Sequence, residues 1–115
     1  VASKIYILGP MRGIPFYNFP AFDKAAAKLR EAGYEPVSPA DIDRECGFDA
    51  MALPHDFDWG SIPASLHLKD IISRDLLAIV NDADGYYCLP RWTESVGATA
   101  EWHVCQWKAI PEIKI

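Results

Sequence analysis

Nowhere in this chain do two basic residues stand side by side, and 11 Lys and Arg are set against 16 Asp and Glu, a formal charge of −5. A phosphate polymer or an anionic membrane surface is held by a concentrated cationic face. Neither a nucleic-acid polymer nor a membrane is therefore an expected partner. Apolar runs end after about four to five residues, far short of the ~20 that span a bilayer, and the first residues lack the basic start and apolar stretch of a secretory leader. These absences predict a soluble, cytoplasmic protein. Cysteine is sparse: Cys46, Cys88 and Cys105 form an odd set with no CxxC. A disulfide framework or zinc site is not expected from them, and they read as reduced thiols. His55, His67 and His103 share no spacing, and His103 and Cys105, two apart on a helix, cannot face one ion. No metal and no cofactor is called for. A Walker A loop and GxGxxG are also missing, which argues against an NTPase and a classical dinucleotide fold.

What the chain does have is an apolar half that alternates between strand-like and helix-like periods. Its 115 residues suffice for one domain, 1–115, with a real core. Lys4 to Leu8 reads as a buried strand ending at Gly9-Pro10. Asn18 is placed to cap a helix with Pro20 in its first turn, carrying Phe19, Phe22, Ala26 and Leu29 on one face until Gly33. Tyr34 to Ser38 is a second strand, giving a β-α-β unit that favours parallel strands. Residues 40–65 are a long acidic, proline- and glycine-bearing connection with room for a short helix near Asp41 to Cys46. A helix follows over 66–82, a third strand over Gly85 to Leu89, a loop over Pro90 to Glu94, a helix over Val96 to Ala109, and a fourth strand over Glu112 to Ile115. The predicted fold class is α/β: a three-layer sandwich around a mostly parallel sheet of four to five strands.

Ligands of such sheets gather at the carboxyl ends of the strands, where the first strand runs into Gly9-Pro10-Met11-Arg12-Gly13. Glycines there let backbone N–H groups approach an anion, and Arg12 adds a cation. A plain strand exit, with the glycines meeting only backbone angles and Arg12 solvated, is the alternative. Two acids bear on the choice. Asp75 falls in register with Leu68, Ile71, Ile72 and Ile79, and Glu101 shares a face with Gly97, Ala98, Val104 and Cys105, so both occupy stripes that should turn inward. Buried acids are costly unless hydrogen-bonded or used, and two around one pocket suit acid/base or nucleophilic carboxylate chemistry. The competing readings are an arginine pairing with Asp75 and a Glu101 at the edge of its stripe.

GPMRG after the first strand, SRDLLAIVNDADGYYCLP across the third, and Ser95-x-Gly97-Ala98-x-x-Glu101 together resemble the nucleoside 2-deoxyribosyltransferase superfamily, including its 2'-deoxynucleoside 5'-monophosphate N-glycosidase branch. The chain is most similar to small, phage-associated members with a GPMxG start, and residues 40–65 are the least comparable. The resemblance implies a Rossmann- or flavodoxin-like fold and cleavage or exchange of the N-glycosidic bond of a nucleoside 5'-monophosphate or nucleoside. It implies Glu101 as nucleophile and Asp75 as the acid near the base and sugar. Ser95 stands where transferases on free nucleosides carry an aspartate against the 5'-hydroxyl, and where the monophosphate branch carries serine; an aspartate repels a 5'-phosphate. Ser95, the helix start at Val96 and Gly97, and the Gly9, Met11, Arg12 and Gly13 loop then form a phosphate cradle, and hydrolysis is favoured over base exchange. A non-catalytic nucleotide-sensing module with the same pocket is the alternative function. Arg91 is a further phosphate or base contact or a solvated charge, and Phe48, Phe57 and Trp59 are base-stacking candidates or core cover. Trp92, Trp102 and Trp107 give more aromatic surface than one sheet face covers, which predicts a homodimer or higher homo-oligomer.

Overall fold

The structure, a computed structural model, describes residues 2–63 and 66–115. Three parallel strands make the sheet: β1 (Lys4–Leu8) in the centre, β2 (Glu35–Val37) on one side and β3 (Gly85–Cys88) on the other. Four helices accompany them, α1 (Phe19–Glu31), α2 (Pro39–Glu45), α3 (Leu68–Asp82) and α4 (Val96–Lys108). Alternation along β1 divides the core. Ile5 and Ile7 pack with Phe19, Phe22 and Leu29 of α1, whereas Tyr6 and Leu8 pack with Ile79 of α3 and Cys105 of α4. The sheet is thus covered on both faces, which is why β1 is apolar at every position from Ile5 to Leu8. No helix among the described residues is long and apolar enough to cross a membrane.

The sheet is smaller than the four to five strands expected. Glu112 to Ile115 does not form a strand: Glu112 makes one isolated parallel bridge to Tyr86. The contact consists of Tyr86 N–H donating to Pro111 O at 3.0 Å and Ile113 N–H donating to Tyr86 O at 2.7 Å, and the pairing stops there. Gly85 makes room for this close approach, since a Cβ there would lie 3.0 Å from Pro111 O.

Asn18 also departs from its expected role. It holds left-handed backbone angles (φ 63°) and does not cap α1; its Nδ2 donates to Pro10 O at 2.9 Å instead. Phe16 and Tyr17 are left-handed as well, so the 3₁₀ turn at Pro15–Asn18 holds three consecutive non-glycine residues at positive φ. Its ties to the rest of the chain are specific. Tyr17 Oη donates to Ser61 O, and the Tyr17 ring meets Trp59 edge-on at 5.2 Å.

The long connection is largely ordered, and its last two residues, Ala64 and Ser65, lie outside the described residues. Ser38 caps α2 by accepting from Ala40 N–H at 3.2 Å, and Pro39 occupies the first turn. Arg44 anchors the segment. Its guanidinium meets both Asp23 oxygens at 2.7 and 2.8 Å, reaches Asp41 at 3.1 Å and Asp49 at 3.5 Å, and lies 4.9 Å over the Phe19 ring. One cation therefore ties α1, α2 and the turn at Asp49 together. Lys108 does the same for the other face, donating to the carbonyls of Ile79 at 2.8 Å and Ala83 at 2.7 Å at the end of α3.

Candidate functional site

Beyond the carboxyl ends of β1 and β3 opens a cleft of about 860 Å³. Gly9, Met11, Arg12 and Gly13 from the β1 exit, Asp75 from α3, and Ser95, Gly97 and Glu101 from the start of α4 all line it. Sequence pattern predicts Gly9, Arg12, Gly13, Asp75 and Glu101 as site candidates, and the family resemblance adds Met11, Ser95 and Gly97; the fold brings them to one cavity.

The loop after β1 has separate reasons for its two glycines. A Cβ on Gly9 would lie 2.6 Å from a Leu89 methyl, so Gly9 lets the end of β1 pass the end of β3. Gly13 sits at φ +87°, where side chains are strained. Its N–H donates to Trp59 O at 2.7 Å. That corrects the expectation of Gly13 as an anion donor, because its hydrogen is already engaged. Among the described residues Arg12 is exposed and in no ion pair.

At the opposite wall, Ser95 caps α4: its Oγ accepts from Ala98 N–H at 3.1 Å. The hydroxyl hydrogen stays free to donate, and Val96 and Gly97 hold first-turn N–H groups that have no intrahelical acceptor. Glu101 lies one turn further on. Fully buried Tyr6 donates its hydroxyl to Glu101 Oε2 at 3.0 Å, which fixes the carboxyl against the end of the sheet. Burial and the nearby Asp75 push the Glu101 carboxyl up to about 8, against the Tyr6 hydrogen bond, which lowers it. Tyr6 itself is raised, by burial first and then by Glu101 and Asp75, so it remains a donor.

Asp75 is 6% exposed, and burial, then the charge of Asp43, raises it to about 7. The arginine expected as its possible partner goes elsewhere: Arg74 Nη2 is 3.6 Å from Asp43 Oδ1. Asp43, likewise 6% exposed, is a further buried acid of the cleft and was not singled out by sequence pattern. Burial raises it to about 6, while Arg74 and Arg44 pull it down. Its only sequence signal was the short helix in the acidic connection. Tyr6 was legible only as a core residue. Among the described residues no group of three His, Cys, Asp or Glu is arranged to hold a metal ion.

The remaining candidates divide. Arg91 lines the cleft as an exposed residue with left-handed backbone, its Nε 3.0 Å from Glu94 in a solvent-exposed pair. Phe57 and Trp59 pack on Tyr17 and on each other and are cover for the α1 core. Phe48 alone of the three loop aromatics reaches the cleft wall. Leu68 and Ile72, expected to face the sheet, are exposed along the rim of the cleft instead. The turn of α3 at its open end has no sheet beneath it; Asp75 and Ile79 are where its apolar stripe becomes buried.

Comparison with curated proteins and with solved structures finds no match to this chain. A family model does match, over residues 3–111, a span that includes every residue of the cleft described above. The chain belongs to that family, described as a domain of unknown function, DUF4406.

Proposed function

We propose that this chain cleaves the N-glycosidic bond of a deoxynucleoside 5'-monophosphate through Glu101, on a Rossmann- or flavodoxin-like scaffold. The observation that carries the reading is the meeting, in one cleft, of two inward-turned carboxyls from different helices with a glycine loop and a serine-capped helix start. Two carboxyls supply the chemistry of a retaining glycosidase. Glu101 attacks the anomeric carbon as the bond to the base breaks; the Asp75 carboxyl gives its proton to the departing base, and a glycosyl ester is left on Glu101. Water then attacks the same carbon, returns a proton to Asp75 and frees the sugar phosphate and Glu101. The 5'-phosphate is held by Ser95 Oγ–H, the Val96 and Gly97 N–H groups, the Met11 and Arg12 backbone and the Arg12 guanidinium.

One feature favours a second reading, nucleotide binding without turnover: burial and Asp75 raise the Glu101 carboxyl to about 8, which disfavours the ionised form a nucleophile needs. Incubating the protein with a panel of nucleosides and 5'-monophosphates and following free base by chromatography separates the two. Release of base from monophosphates supports the glycosidase; calorimetric binding with no base released supports the sensing module; release from nucleosides in preference to monophosphates removes the phosphate cradle.

A further inference from the structure

Asp43 and Asp75 are a pair that the proposed reaction does not by itself explain. They project from α2 and α3, which pack on each other, into the same cleft wall. On each, the Oδ1 atom is buried away from solvent and has no hydrogen-bond partner among the described residues. A buried carboxylate oxygen with no donor is among the most costly groups in a protein. Two of them within each other's electrostatic reach cannot both stay ionised and unpaired. Among the described residues the charged and titratable groups acting on the pair are Arg74 on α3, Arg44 on α2, Glu101 of α4 and Tyr6 of β1. Only the arginines are cations, and the nearer one, Arg74, lies on the Asp43 side at 3.6 Å from Oδ1.

We propose that Asp43 and Asp75 share one proton, with Arg74 holding the negative charge on Asp43 and the proton kept on Asp75, so that Asp43 is the positioning residue that maintains Asp75 as an acid. The proton removes the charge from an oxygen that no N–H among the described residues reaches, and the asymmetry comes from Arg74, whose charge lowers both carboxyls but which lies within ion-pair distance of Asp43. Asp43 touches no reacting atom. The direction of the shifts, Asp75 raised further than Asp43 and raised in part by Asp43, agrees with this order. The proton pair stands independently of the glycosidase reading, whereas its consequence for leaving-group departure rests on it.

The test is carbon-13 carboxyl NMR of the full chain labelled at aspartate, titrated from acid to alkaline pH. In the native protein one of the two carboxyls should be ionised at neutral pH and the other still protonated, and in Asp43→Asn the Asp75 midpoint should fall by about one unit or more. Arg74→Met should raise the Asp43 midpoint and reduce the difference between the two. If both native carboxyls titrate in the ordinary range, or if the Asp75 midpoint is unmoved in Asp43→Asn, the pair is refuted; the native titration alone decides where a variant does not fold. Base release measured across the same pH range separates this inference from the glycosidase. A shifted pair without any base release overturns the enzyme and keeps the pair. Base release with an unmoved Asp75 overturns the pair and keeps the enzyme. Where both hold, the alkaline limb of kcat/KM moves to lower pH in Asp43→Asn.

Discussion

Glu101 is held between two demands. Its hydrogen bond from Tyr6 steadies the carboxylate, while burial and Asp75 favour the acid. Glu101→Gln keeps the size and still accepts from Tyr6, but it loses the charge and the oxygen that would bond to the sugar. Base release is expected to fall roughly 10³-fold or more with little change in monophosphate affinity, compared by single-turnover chromatography and calorimetry. Near-native release from this variant would sink the nucleophile assignment. The same residue governs a pH effect on stability. Asp43, Asp75 and Glu101 are raised to about 6, 7 and 8, so the folded chain retains protons that the unfolded chain has released. Their contribution is intact below the ordinary carboxyl range and is lost as pH rises through these values. Thermal melting at constant ionic strength should show a lower Tm at pH 8 than at pH 5, and Glu101→Gln should flatten that slope. At this scale the sequence spoke through period: Asp75 and Glu101 each broke an apolar stripe. Asp43 had no stripe to break, because a seven-residue helix offers too few turns for one, and the need for Gly9 came from Leu89, 80 residues away in the chain.

Elements fix these side chains through their ends. The N-terminus of α4 combines the Ser95 cap with free first-turn N–H groups, and the function proposed for it depends on the sign of charge at one position. Ser95→Asp retains a capping oxygen, so the helix should persist, but it places an anion where the 5'-phosphate would sit. Monophosphate affinity should drop by about tenfold or more while nucleoside affinity is maintained or gains, a reversal that calorimetry can read. Equal affinity of the native protein for both ligands would remove the cradle. On the other side of the cleft, α2 is placed by Arg44. Arg44→Ala removes a network reaching Asp23, Asp41 and Asp49 together with the contact on Phe19, and about 1–3 kcal/mol of stability by chemical denaturation is expected, more than an isolated surface pair contributes. Helix and strand positions were legible from apolar spacing to within a few residues. The left-handed turn before α1 was not, since Asn18 beside Pro20 looks like a helix cap in sequence, and the hydrogen bond to Pro10 that holds it elsewhere is made only once the glycine loop has folded back. The fourth strand was not legible either: its apolar spacing suits a strand, but the pairing stops after the one bridge to Tyr86.

For the molecule as a whole, the two sheet faces are finished unequally. The α1 side is covered by the connection and its aromatic cluster, whereas α4 presents Val96, Ala100, His103 and Trp107 to solvent along one line of the helix. Those positions recur at four-, three- and four-residue steps, opposite the Ala98, Glu101 and Cys105 face that meets the sheet. Val96 and Trp107 are 88% and 90% exposed, values unusual for large apolar side chains at both ends of one helix. Part of the aromatic excess seen in the sequence is absorbed within the chain, because Trp92 stacks on Trp102 at 5.8 Å. Trp107 is not. A second copy seated on this line would cover it and, because Val96 and Ala100 also border the cleft, would close part of the cleft mouth. Association through α4 would therefore couple oligomeric state to the site: a roof of this kind would exclude water from a bound ligand and strengthen every charge interaction beneath it. Sedimentation velocity over a range of concentrations should report a dimer or higher oligomer that dissociates in Trp107→Glu, with monophosphate affinity falling in parallel. A native monomer at every concentration would show that α4 carries its exposed tryptophan for another reason, and unchanged affinity in a dissociated variant would show that each cleft is complete within one chain.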